Sequence, residues 1–197
     1  YKIGVWLRDD TQGIGTITYI DEDQNFAALG HGITDADTGI LMDISHGMVY
    51  QSNILSIVKG SRGTPGEIVG TIDYQKKNRI GTITDNSSCG IFGTVERDYL
   101  AYDPEKAVPV ADPEEVTEGP VQIVCTMNGE TNHYAAEIRK IDKNNKDYKN
   151  FVLQITDEQL LEETNGILQG MSGSPVIQNG KLVGAVTHVF VNEPTKG

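Results

Sequence analysis

Sulfur is scarce in this sequence, and its scarcity narrows what the chain can be. Only two cysteines occur, Cys89 and Cys125, and neither has a second Cys or His at the spacing of a zinc-ligand set. A zinc finger and a disulfide-dense scaffold are both excluded on that count. The pair is left with two outcomes, one disulfide in an oxidising compartment or two buried thiols, and the strand-like surroundings of each favour the thiols. Basic residues are also few, 16 against 28 acidic ones, for a formal charge of -12. That balance argues against nucleic acid and anionic membrane surfaces as partners, because both reward clustered Lys and Arg. Basic polypeptide segments would instead be attracted. No apolar run reaches the roughly 18 residues that cross a bilayer, so no membrane insertion by this segment is expected. No signal peptide is visible, and Tyr1 follows no initiator methionine; a processed or truncated segment is expected, in which missing targeting signals carry little weight.

What the chain does have is glycine, 22 residues of it, distributed as many short strands with tight turns would use it. Residues 2–8 alternate polar and apolar and read as a strand, followed by an Asp9-Asp10 turn and a second strand over 13–20. Further strands are expected over 26–29, 47–50, 52–58, 67–72, 79–84 and 89–95. Between Tyr102 and Pro120 the composition turns acidic and proline-punctuated, as in a segment joining subdomains. Strands resume over 121–127, 134–141 and 150–156. The expected organisation is all-β: a first barrel over 1–101, a linker over 102–120 and a second barrel over 121–197. One short helix is marked by Thr156-Asp157-Glu158-Gln159, a capping-box pattern with Thr156 as cap, and ends at Asn165-Gly166.

The stretch with chemistry in it is Gly170-Met171-Ser172-Gly173-Ser174-Pro175. Glycines on both sides of Ser172 allow positive φ and tight curvature, so the loop can present a hydroxyl. It can also aim the N–H groups of Gly170 and Ser172 at one point, as an oxyanion hole requires. Val176 and Ile177 then lead into Asn179-Gly180, a strong hairpin signal. A serine nucleophile needs a base, and His is the usual one. His31 closes an apolar strand between Gly30 and Gly32 on the first half, which would put base and nucleophile on different barrels. His46 and His133 sit in polar surroundings and are expected to face solvent, and His188 reads as structural or substrate-lining.

The loop resembles the Gly-Asp-Ser-Gly-Gly-Pro loop of chymotrypsin-fold serine peptidases. The longer run from Gly166 to Asn192, with Gly13-Ile-Gly-Thr16, Ala28-Leu-Gly-His31 and Gly63-Thr-Pro-Gly-Glu67, resembles the stage IV sporulation protein B peptidase family. The resemblance implies a double β-barrel and a serine endopeptidase with His31, Asp157 and Ser172 as catalytic residues. Asp157 matches the family's Ile/Val-Thr-Asp context, although a carboxylate at a helix start is favoured by the helix dipole in any case. Asp43, Asp73 and Asp85 are its rivals, being on the first half after the histidine. From the chymotrypsin-like arrangement, Gly166 and Ile167 would floor the specificity pocket, and a strand over 186–191 would bind substrate backbone, with Val189 and Val191 in contact. No cofactor or metal is implied. The resemblance further implies signalling in bacterial endospore formation, export to the space between mother cell and forespore membranes, a membrane-associated regulatory protein as partner, and self-cleavage. The family's membrane anchor and peptide-binding PDZ module are not in this stretch. The alternative from a different class is a catalytically silent β-barrel that binds peptide without cutting it.

Overall fold

In the computed structural model, residues 12–35, 37–44, 46–96, 104–127 and 129–197 are described; the strand expected over 2–8 and the turn after it lie outside them. The chain is all-β with one short helix, arranged in three sheets. The first half supplies β1 (Tyr19–Ile20), β2 (Asn25–Leu29), β3 (Gly47–Tyr50), β4 (Ser52–Val58), β5 (Gly66–Ile72), β6 (Arg79–Ser87) and β7 (Gly90–Val95). The second supplies β8 (Gly119–Met127), β9 (Glu130–Ile141), β10 (Phe151–Ile155), α1 (Glu158–Thr164), β11 (Leu168–Gln169), β12 (Pro175–Gln178) and β13 (Lys181–Ala185). One five-stranded sheet runs β1-β2-β7-β6-β3, the other β10-β9-β8-β12-β13, and a mixed three-stranded sheet runs β11-β5-β4. This is the architecture expected of a chymotrypsin-like double barrel, although neither large sheet closes on itself among the described residues.

Period-two alternation builds the second half. Val121, Ile123, Cys125 and Met127 of β8 and Tyr134, Ala136 and Ile138 of β9 all point inward and are buried, with Gln122, Val124, Thr126, Ala135 and Glu137 alternating on the outer face. They join Leu153, Ile155, Leu160, Ile167, Leu168, Met171 and Val176 in one large core. The core of the first half is smaller, built on Phe26, Ile83 and Val95. Packing also crosses between the halves: Ile68 of β5, with Ile54 and Ile57 of β4, belongs to the large core. The reason is β11, which pairs in parallel with β5 through Leu168–Gly66 and Gln169–Glu67.

Two further seams join the halves. Gly60 N–H donates to the Thr164 carbonyl at the end of α1, the Asn165 amide donates back to Gly60 O at 2.9 Å, and Lys59 Nζ reaches Glu162 O. Elsewhere the acidic stretch before β8 does not hang free. Leu182 of β13 exchanges backbone hydrogen bonds with Pro109 and Ala111, so this stretch covers the outer edge of the second sheet. Covering an edge strand removes unpaired N–H and C=O groups that would otherwise recruit another chain.

Three local readings are corrected. Residues 13–20 form a strand only at Tyr19–Ile20: Thr18 N–H still bonds Ala27 O of β2, but Thr16 N–H turns to Ser172 O of the opposite half. The helix starts one residue later than expected: Asp157, not Thr156, is its cap. The strand expected over 186–191 ends at Ala185, since Phe190 N–H turns back to Lys196 O and Phe190 bridges Glu193. The hairpin at Asn179-Gly180 is as expected, with φ of 53° and 76° at the two positions that a type I′ turn requires to be positive.

Candidate active site

The nucleophile loop is held by its own backbone and by the opposite half. Met171 N–H donates to Leu168 O, Gly173 N–H to Val186 O, and Ser174 N–H to Met171 O. These bonds close the loop, and the N–H groups of Gly170 and Ser172 take no part in closing it. Those are the two expected to form the oxyanion hole. Gly170 and Gly173 have φ of 102° and 95°, in the region that L side chains avoid, which is why glycine stands there. Met171 is fully buried as the anchor beneath the loop, and Ser174 is fully buried beside Cys125. Burial pushes the Cys125 thiol up, with the Ser174 hydroxyl pulling it partly back. Both cysteines are free thiols.

Ser172 itself is half-buried, and its hydroxyl donates to the Thr187 carbonyl at 3.0 Å. Its neighbour from the first half is the end of β2. A Cβ placed on Gly30 would lie 3.4 Å from the Ser172 Cβ and 3.8 Å from the Gly173 nitrogen. The backbone just ahead of His31 therefore lies about one methyl group's width from the serine, across a sequence separation that only the fold can close. His31 and Ser172 line the same cleft, of about 830 Å³, together with Asp43 and His46. His31 is exposed, and its Nδ1 lies 3.3 Å from the Gly32 carbonyl.

A second imidazole stands at the site. The rings of His31 and His188 are 5.9 Å apart between centroids and tilted by 59°, and His188 Nδ1 is 3.0 Å from the Thr187 hydroxyl. Burial first, then the positive charge of Lys149, then His31, hold the pKa of His188 below the usual imidazole value. His188 thus favours the neutral form beside His31. His133 is exposed on β9 against Gln122, and His46 is exposed as expected.

The structure places Asp157 at the start of α1. Its Oδ1 accepts from the Leu160 N–H at 3.0 Å, capping α1, and its Oδ2 accepts from the Ala135 N–H at 3.1 Å. Both carboxylate oxygens are engaged by backbone. Among the described residues no carboxylate makes a hydrogen bond or ion pair with His31 or His188. Of the rivals, Asp73 accepts from Gln75 N–H, Asp85 is exposed on β6, and Asp43 is exposed at the rim of the cleft.

The residues expected at the substrate are gathered on one side. Ile167 is buried and its N–H donates to Pro194 O; Gly166 lies so close to Pro194 that a Cβ there would meet its carbonyl oxygen at 2.2 Å. Val189 packs on the large core. The Val191 carbonyl is taken by Gly63 N–H, the Phe190 N–H bonds Lys196 O, and the Thr187 carbonyl accepts from Ser172.

Sequence reasoning missed the residues that join the halves here. Thr16 N–H donates to Ser172 O at 2.9 Å, and the Thr18 hydroxyl donates to Gly173 O at 2.8 Å. Asn86 fixes the segment after His31, accepting from Ile33 N–H and donating to Ile33 O and Met42 O. The only signal available was the Thr16-Ile17-Thr18 alternation, which reads equally as the outer face of a strand.

A family model described as SpoIVB peptidase S55 matches residues 1–197, the whole chain. No curated protein and no solved structure matches it. Among the described residues no helix is long and apolar enough to cross a membrane.

Proposed function

We propose, on the premise that this chain belongs to the SpoIVB peptidase S55 family and is a peptidase, that it is a serine endopeptidase working through an acyl-enzyme, with Ser172 as nucleophile and His31 as general base. The observation that carries this reading is the contact of Gly30 with Ser172, which sets the residue before the base against the nucleophile. The neighbour of His31 Nδ1 is a carbonyl oxygen, which can only accept. We assign the proton to Nδ1 on that ground, which leaves Nε2 with a free lone pair for the serine proton.

In the resting enzyme the Ser172 hydroxyl points at the Thr187 carbonyl. Rotation about its Cα–Cβ bond directs it to His31, which takes the proton as Oγ attacks the substrate carbonyl carbon. The oxyanion would be received by the N–H groups of Gly170 and Ser172, which the hydrogen bonds that close the loop leave unused. His31 then gives its proton to the departing amine, and water enters by the same route to release the acid. The Gly32 carbonyl orients the imidazole in the way a third side chain otherwise would, and Asp157 serves as the cap of α1. A neutral His188 beside this centre adds no positive charge to oppose the imidazolium that forms on His31.

Substrate backbone would lie along residues 187–189 with Val189 beside it, while Gly166 and Ile167, both buried, would support that segment from behind. The match to a sporulation peptidase family supports signalling proteolysis in endospore formation, in the space between mother cell and forespore membranes. A membrane-associated regulator and the chain's own N-terminal region are the polypeptides to test as substrates. A fluorophosphonate followed by peptide mass spectrometry tests the chemistry. Label at Ser172, lost in His31→Ala and kept in His188→Gln, is the expected result. Label at Ser174, or none in folded protein, would overturn the peptidase reading in favour of a peptide-binding barrel.

A further inference from the structure

Thr18 is 6% exposed, and the hydroxyl of a threonine this buried is retained at a cost unless it is fully bonded. Its backbone N–H donates to Ala27 O at 2.7 Å, which fixes it beside β2. Its hydroxyl accepts from Leu29 N–H at 2.9 Å and donates to Gly173 O at 2.8 Å. Leu29 stands two residues before His31, and Gly173 stands one residue after Ser172. A single oxygen atom therefore bonds the segment that carries the base to the loop that carries the nucleophile. The contact has no slack, because a Cβ on Gly173 would meet the Thr16 carbonyl oxygen at 2.0 Å. The loop rests directly on the backbone of residues 16–18, and the Thr16 N–H bond to Ser172 O reinforces the same seam.

Resting on the serine peptidase reading above, we propose that the Thr18 hydroxyl is a positioning residue that sets the separation of His31 and Ser172. Replacing it by an isosteric methyl leaves Leu29 N–H and Gly173 C=O facing each other without a bridge. The two segments then part or admit water, and displacement of a reacting group by about 1 Å is enough to cost about 10²-fold in rate.

A plainly structural hydroxyl would affect stability and leave the chemistry intact, so the test reads rate on folded protein. The inactivation of Thr18→Val by a small fluorophosphonate is measured with kinact and KI separated, at a temperature where circular dichroism shows the native signal. Gln178→Leu serves as the control, since Gln178 is equally buried and bonds only to Thr117 and Pro120 of the second half. The expected result is a kinact lowered about 10- to 100-fold in Thr18→Val with KI within about threefold, near-parental kinact in Thr18→Ser, and near-parental kinact in Gln178→Leu despite a lower Tm. Parental kinact in Thr18→Val, or an equal loss in Gln178→Leu, overturns the proposal while leaving the peptidase reading intact. A parent that is never labelled overturns both. If Thr18→Val does not fold, Thr18→Cys decides: its longer, weaker thiol bridge should slow kinact, and an unchanged kinact overturns the proposal.

Discussion

Asp157 shows how one side chain can satisfy two sequence patterns at once. The same carboxylate fits a triad acid and a helix cap, and only its partners separate the roles. With Oδ1 on Leu160 N–H and Oδ2 on Ala135 N–H, Asp157→Asn keeps a good capping oxygen and loses one acceptor. The expected outcome is a stability loss of about 1 kcal/mol, read as a small fall in Tm, with the rate of Ser172 labelling within a few-fold of the parent. A triad acid would instead cost about 10⁴-fold through the wrong imidazole tautomer. Ser172 and His31 could be singled out in sequence because each stands between residues that mark it, glycines on one hand and an apolar strand end on the other. Thr18 was not, because a threonine alternating with isoleucine carries no mark of which surface it will meet. Thr187 contributes only a carbonyl to Ser172, and backbone groups are invisible in any sequence.

At the scale of elements, what was read correctly had its partners close in the chain. The Asn179-Gly180 hairpin and the end of α1 at Asn165, with φ of 58°, are set by adjacent residues. What was misread depends on distant partners: residues 13–18 are extended because they lie along the nucleophile loop, and β11 exists only because β5 accepts it. The loop's dependence on close backbone approach gives a paired prediction. Gly173→Ala and Gly180→Ala both place an L side chain at positive φ, 95° and 76°, and should each lose about 1 kcal/mol or more to strain. A Cβ at 180 meets nothing within 4 Å, whereas one at 173 collides with Thr16 O. Melting curves should therefore fall for both variants, and the fluorophosphonate rate should collapse, by more than about 100-fold, for Gly173→Ala alone. Equal rates in the two would mean that the loop tolerates separation from residues 16–18.

The whole molecule carries a formal charge of -12, an excess that acts at long range. Cleavage of a Lys- and Arg-rich peptide should slow as salt rises from 50 to 500 mM, mainly through kcat/KM, while a neutral peptide of the same length should be little affected. Parallel titrations of both peptides check this. The all-β organisation was legible from strand periodicity. The sharing of Ile54, Ile57 and Ile68 with the larger core was not, since inward-facing isoleucines do not announce which interior they enter. The seam at Thr18 has a further consequence, in time. The residues it joins are 155 apart, and at about 5–20 residues per second the ribosome completes Gly173 about 8–30 s after Thr18. Throughout that interval the segment ahead of His31 waits without its partner loop. The seam is thus assembled late, when the loop around Gly173 settles onto residues 16–18.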